Sequence, residues 1–369
     1  DTIKDNETIR DELLAIMLGV WDHIKNGGDH GADTWALEWF GFLPGKRESR
    51  RFLGLHMLCE SDVLGSAPFA DAIAFGGWPI DTHPVQGVDA PAESPCSQHR
   101  VPHVYDIPLR ACISRDIPNL LFAGRNISAT HIAFASTRVM ATAAAMGQGV
   151  GTAAAYAARH DVLPAAIPDR PECMRAVQQR LLRDDAYLIG LANEEGGDFA
   201  RTARLTASSA QAAGPVANLV SGVTRALHGP DGAPPDRVVS GTHRWMSEGL
   251  PAQVELRWAE PVHCGEVQLV FDTGLHRPLT LTHSDAYAAR MAWGTPQPET
   301  VRDYLIEGEL DGTWRTLVQV EGNYQRRRVH EIAPGNRLTA LRLTVTATNG
   351  LDHARVCEVR VYAGSPGAI

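Results

Sequence analysis

Three groups of residues could do chemistry by their types and spacing. The first is the run Asn119-Leu-Leu-Phe-Ala-Gly-Arg-Asn-Ile-Ser128 followed by Ala129-Thr-His-Ile-Ala-Phe-Ala-Ser-Thr-Arg-Val139. An apolar strand that stops at Gly124 lets the backbone approach a flat or extended ligand, because no Cβ stands in the way. Arg125 and Asn126 then lie where hydrogen bonds to ligand hydroxyls or phosphate oxygens can form. An ordinary strand-to-helix connection, with Arg125 in a salt bridge, reads equally well from the residues alone. Ser136 is a fair N-cap for the Ala-rich helix that follows, and the positive end of that helix favours negative charge. The second group is histidine: His131 in the loop before that helix, and His83 two residues past Asp81. An imidazole changes charge near neutrality, so each is a candidate base, although each could also be a structural hydrogen-bonding residue. Tyr105 is a third candidate. The last group is the charge run Lys46-Arg-Glu-Ser-Arg-Arg51, which taken alone reads as a solvated face.

The elements that must position these residues follow from periodicity. Apolar spacings of three and four over Glu7 to Asn26 predict an amphipathic helix ended by Gly27-Gly28. Phe69 to His83 reads as a short apolar strand closed by a Gly-Gly-Trp-Pro turn, and Pro84 to His103 as a loop. Asn119 to Gly124 reads as a buried strand, Ser136 to Arg159 as a buried helix, and Met174 to Leu191 as an amphipathic one. Gly147-Gln-Gly-Val-Gly151 imitates a dinucleotide fingerprint but lies in the middle of a helix pattern, where close backbone packing is the better reading. From Pro215 onward short alternating runs dominate. They are Gln253–Trp258, Gly265–Phe271, Tyr304–Glu307, Trp314–Val320, Leu341–Thr346 and Val356–Tyr362. With Asp-Gly and Asn-Gly turns between them they predict an antiparallel β-sandwich. The fold class expected is therefore α+β, an α/β-type unit at 1–195, a linker at 196–215 and a jelly roll at 216–369.

Composition bounds the function. The chain of 369 residues carries Lys+Arg 34 against Asp+Glu 43, a formal charge of −9, which argues against a nucleic-acid partner. No run of about 18 apolar residues is present, so no membrane span is expected. The six cysteines are scattered without CxxC spacing and read as reduced thiols; no metal-ligand set is expected, nor a clustered Asp set for calcium. The chain opens at Asp1 with no initiator Met and no signal pattern, so it is expected to begin after a cut, with localisation open between cytoplasm and export.

Several motifs occur in a fixed order: Pro44–Arg51, Phe69–Ala74, Gly76–Asp81, Tyr105–Arg110, Asn119–Ser128, Thr130-His131, Gly147–Ala154 and Val177–Leu182. Together they resemble the later half of the FAD-dependent oxidoreductase family that often accompanies polysaccharide-degradation genes. The resemblance covers about residues 1 to 195 and implies FAD as cofactor. Members of that family begin with a Rossmann unit for the ADP part of FAD, which these residues lack; a partner chain could carry it. By the resemblance, Gly124, Arg125, Asn126 and the helix start Ser136-Thr137-Arg138 face the ribityl and pyrimidine side of the flavin, and Arg47 and Ser49 lie near its ring system. His131 and His83 become the candidate catalytic bases. Residues 216 to 362 resemble a galactose-binding-like (discoidin-type) module, on Asp236–Gly241, Trp245, Val254–Trp258, Asp311–Trp314 and Glu358–Tyr362. The function implied is oxidation of a sugar or sugar-derived alcohol by hydride transfer to flavin. The alternative is a non-catalytic carbohydrate-binding protein with a degenerate flavoprotein remnant, in which exposed aromatics such as Trp293 or Tyr324 stack on sugars. A carbohydrate lyase would want a helical or β-solenoid scaffold that the sequence does not offer.

Overall fold

The computed structural model describes residues 2–45, 49–225, 232–238, 241–275, 289, 294–333 and 335–364. The chain is α+β, and its described residues hold two large hydrophobic cores and a small third cluster around Val104, Ile189 and Ala233. The first half holds α1 (Asn6–Asn26), α2 (Glu60–Gly65), α3 (His131–Thr137), α4 (Met140–His160) and α5 (Pro171–Arg183). Its sheets are small and antiparallel: β1 (Ala72–Gly76) pairs with β4 (Tyr105–Pro108), and β2 (Ile80–Thr82) with β3 (Ser97–His99). The predicted helix at 7–26 forms, yet none of its residues is buried. Exposed apolar side chains gather in this half, among them Trp35, Trp39, Phe42 and Leu43. Among the described residues no helix is long and apolar enough to cross a membrane.

Three expected elements differ. Asn119–Gly124 is not a regular strand: only Leu121 makes a bridge, to Ile113, and Leu120 is exposed. Its backbone bonds go to a loop, Ser114 N–H to Leu120 O and Phe122 N–H to Cys112 O, so no ladder extends. The helix expected from Ser136 breaks at Val139, whose extended backbone (ψ 149°) separates α3 from α4. The helix expected to reach Leu191 stops at Arg183, because Asp185 turns left-handed with φ 66°.

The second half is a β-sandwich of two antiparallel sheets. One has the order β10 (Thr313–Val320), β9 (Val301–Leu310), β12 (Arg337–Thr348), β7 (Ala252–His263), β5 (Arg204–Ala207). The other runs β11 (Arg327–Glu331), β8 (Glu266–Phe271), β13 (Arg355–Tyr362), β6 (Trp245–Met246). Along β7, Ala252, Val254, Leu256 and Trp258 are buried while Gln253 and Arg257 face solvent, the period-two pattern of a half-buried strand. Leu341, Leu343 and Val345 of β12 meet Leu269 and Phe271 of β8 in one core. Asp311 and Gly312 both have positive φ, so the β9–β10 hairpin closes on a two-residue turn of the type that suits strand twist. The segment 196–215, expected as a linker, carries β5 paired to β7, with Ala200 in the sandwich core; its polar small residues hid a short edge strand.

The halves meet at the C-terminal end of α5. Buried Arg360 of β13 donates Nη1–H bonds of 3.0 Å to both Leu182 O and Arg183 O, the last carbonyls of the helix. A guanidinium there satisfies acceptors that have no partner within the helix and sits at its negative end. Around it Arg183 pairs with Glu266, Arg326 with Asp185, and Arg327 with Asp184. Glu358, on the same face of β13, is buried; desolvation outweighs nearby Arg360 and pushes its carboxyl up to about 8.

Two outcomes are expected. Folded Glu358 holds its proton more tightly than the unfolded chain does, so stability falls as pH rises from about 4.5 to about 8. Glu358→Gln flattens that slope, as urea unfolding across the window will read. In α4, a Cβ on Gly149 would stand 2.7 Å from Ile73 O, whereas nothing lies within 4 Å of one on Gly147 or Gly151. Gly149→Ala should therefore cost about 1–3 kcal/mol by overpacking. Gly147→Ala or Gly151→Ala should instead stabilise by up to about 1 kcal/mol, measured in the same way.

Candidate functional site

A cleft of about 390 Å³ opens between α1, β2 and α3. Its walls include Ile9, Leu13, Phe134 and Ala135, and its polar lining includes Asn6, Asp81, His83, His131 and Arg138. Alternation along a strand places Asp81 and His83 on one face of the β2 edge. Thr130 caps α3 by accepting from Ala133 N–H, which sets His131 on the first turn and Arg138 just past the last. Arg138 Nη2 donates to Asp81 Oδ2 at 2.9 Å and lies 3.3 Å from His83 Nε2. His83 Nδ1 lies 2.8 Å from Pro95 O and donates to it, which leaves Nε2 to accept from Arg138. Asp81 Oδ1 is buried and accepts no hydrogen bond.

Behind the cleft wall, Ser136 is wholly buried and does not cap a helix. Its Oγ donates to Trp78 O at 2.5 Å and accepts from the Tyr105 hydroxyl at 2.6 Å. Burial pushes the Tyr105 hydroxyl strongly up, which keeps it a donor to Ser136. The Tyr105 ring can lie there because Gly76 has no side chain: a Cβ would meet it at 2.5 Å. Thr137 is equally buried, and its Oγ1 has no hydrogen-bond partner. The side chains of Ser136 and Thr137 thus turn into the core, on the helix that ends before the break at Val139.

Gly124 has φ 98°, and a Cβ there would stand in ordinary contact, 3.9 Å from Asn126 Oδ1; Gly124, Arg125 and Asn126 form a turn outside the walls of the cleft. Asn126 O accepts from Phe52 N–H at 2.9 Å, which lays the end of the charged segment along this turn. Ser49 is exposed there, while Arg47 lies outside the described residues. Arg51, not singled out in the sequence, stands 5.7 Å over the ring of Phe134, a cleft residue. Asp81 was also missed as a functional residue; the signal that could have found it is its i, i+2 spacing to His83.

Residues 1–181 match the family described as FAD dependent oxidoreductase. No curated protein matches the chain. Among solved structures, the chain is similar to the family 32 carbohydrate-binding module of C. perfringens NanJ in complex with galactose, at 9% identity, TM-score 0.31, and 44% of this chain against 95% of that one. It is similar to the family 32 module of Streptococcus pneumoniae EndoD at 14% identity, TM-score 0.33, covering 45% and 99%. A chitosan-binding module of a Paenibacillus sp. IK-5 chitosanase/glucanase gives 14% identity, TM-score 0.31, covering 45% and 98%.

The cofactor implied by the oxidoreductase family is FAD, and the cleft residues fit it on two observations. A reduced flavin gathers negative charge at N1 and the C2 carbonyl, and the Arg138 side chain, 13% exposed, supplies a cation at the wall. Asp81 Oδ1 offers an acceptor not yet used.

Ser136→Ala leaves the Trp78 carbonyl and the Tyr105 hydroxyl without their shared partner. The expected loss is about 1–3 kcal/mol of stability, read from urea unfolding, with the Tyr105→Phe variant losing less.

Proposed function

We propose that the protein is an FAD-linked dehydrogenase that oxidises a sugar or sugar-derived alcohol, with the α1–β2–α3 cleft as its reaction site. The observation that carries this reading is the convergence of Arg138, Asp81, His83 and His131 on one apolar-walled cleft inside the oxidoreductase region. FAD, when bound, supplies the two-electron acceptor for a hydride leaving a substrate carbon. Arg138 and Asp81 would hold its polar edge. The Gly124-Arg125-Asn126 turn, with Ser49 and Arg47, remains our assignment for the ribityl side.

Loss of hydride from an alcohol carbon requires loss of the hydroxyl proton to a base. His83 offers Nε2, but that atom faces the Arg138 guanidinium at 3.3 Å, so His83 orients Arg138. We assign the proton to His131, exposed at the start of α3 on the lining of the cleft.

The second reading, a carbohydrate-binding protein without redox activity, draws on Tyr324. Its ring is 65% exposed, on a loop pinned by Asn323, whose Nδ2 donates to Val301 O at 2.7 Å. Such a rigidly presented aromatic suits stacking on a sugar face. Trp293, the other candidate, lies outside the described residues.

Purified protein, alone and with a chain carrying a Rossmann unit, is examined for a flavin band near about 450 nm and for its bleaching by sugars under anaerobic conditions. The proposal expects a band that Arg138→Ala weakens, and bleaching that His131→Asn slows about 10²–10⁴-fold while the band persists. No flavin under either condition, with sugar binding lost in Tyr324→Ala, would establish the second reading instead.

A further inference from the structure

At the far end of α1 from the cleft, three potential metal ligands converge. His23 is in the last turn of the helix, and Asp29 and His30 lie in the loop that follows. His30 Nε2 is 3.0 Å from His23 Nε2 and 3.3 Å from Asp29 Oδ1, and all three ligand atoms lie within 4.8 Å of one another. The single Nε2–H of a neutral imidazole can serve one of these two acceptors, which leaves the other lone pair facing it uncompensated. A divalent cation between them satisfies all three at once. Two nitrogens bound at about 2.0–2.1 Å are about 2.9 Å apart at a right angle and about 3.4 Å apart at the tetrahedral angle. The two separations from His30 Nε2, to His23 Nε2 and to Asp29 Oδ1, fall in that interval.

The loop is held in place for this. Lys25 Nζ donates to three carbonyls, Ala32 O at 3.1 Å, Asp33 O at 2.5 Å and Trp35 O at 2.8 Å, and so folds the loop back over the helix end. Gly28 and Gly31, with φ of 82° and 61°, supply the left-handed turns. Gly27 lets the loop turn close against the helix end: a Cβ there would stand 2.5 Å from His23 O. A cation at this position also sits at the negative end of a 21-residue helix.

We propose that His23, Asp29 and His30 form a binding site for a borderline divalent transition metal, zinc(II) in the first place, with water completing the coordination. Two imidazoles and one carboxylate match zinc and exclude a preference for magnesium or calcium, which select oxygen ligands. The metal clasps α1 to the loop after it. That matters because no residue of α1 is buried, while Ile9 and Leu13 at its other end wall the cleft.

Tag-free, chelator-stripped protein is titrated with zinc chloride against a chromogenic chelator, with magnesium as competitor. The expected result is one zinc per chain with a Kd on the order of 1 μM or tighter, unaffected by magnesium. His23→Ala and His30→Ala should each weaken it at least about tenfold, with unchanged circular dichroism, while the His83→Ala/His131→Ala double variant retains it. Absence of tight zinc, equal competition by magnesium, or loss in the His83/His131 variant rather than in the His23 and His30 variants would overturn the proposal.

Discussion

A helix end read by a buried arginine fixes how the two halves of this protein are joined. The last carbonyls of α5 have no partner within the helix, although Leu182 O accepts from Asp185 N–H just beyond it at 3.2 Å. Arg360 reaches them from the sandwich, and the acids just past the helix, Asp184 and Asp185, meet Arg327 and Arg326. The arrangement explains why α5 stops at Arg183 although the sequence beyond it stays amphipathic. It also explains why β13 is buried along almost its whole length: one face fills the sandwich core, the other docks on the flavoprotein region.

The candidate site depends on a second local constraint, the shortness of α3. Seven residues suffice to present His131 at one end and Arg138 at the other, and the extended Val139 stops the helix before it can merge with α4. Ser136, tied to Trp78 and Tyr105, anchors the inner face, so the outer face can line a cleft without shifting. The residues that could act on a ligand thus stand on a support held by buried hydrogen bonds, as an accurately placed constellation requires.

Much of this was legible in the sequence, for reasons that differ between the halves. In the sandwich, the alternation of Val254, Leu256 and Trp258 and the Asp311-Gly312 turn each report a local rule, and those strands form where the pattern puts them. The short edges β5, β6 and β11 escaped because two to five residues carry no period. In the first half, order of motifs identified the family, but residue roles did not follow. Ser136 looked like a cap because its neighbours are helical, and only the tertiary break at Val139 sends it inward. Arg51 reaches the ring of Phe134 through a contact between segments distant in the chain, which spacing alone cannot encode. His23, Asp29 and His30 lacked a metal-type spacing, and it is the Lys25-bound loop that brings them together.

The wetted aromatics of the first half carry a consequence of their own. Trp35, Trp39, Phe42 and Leu43 stand mostly in solvent within nine residues of chain, a greasy ribbon beside a helix that buries nothing. Contiguous apolar surface of this kind attracts amphiphiles and environment-sensitive dyes. Such dyes would brighten on the native protein at that ribbon, well before heat loosens either core.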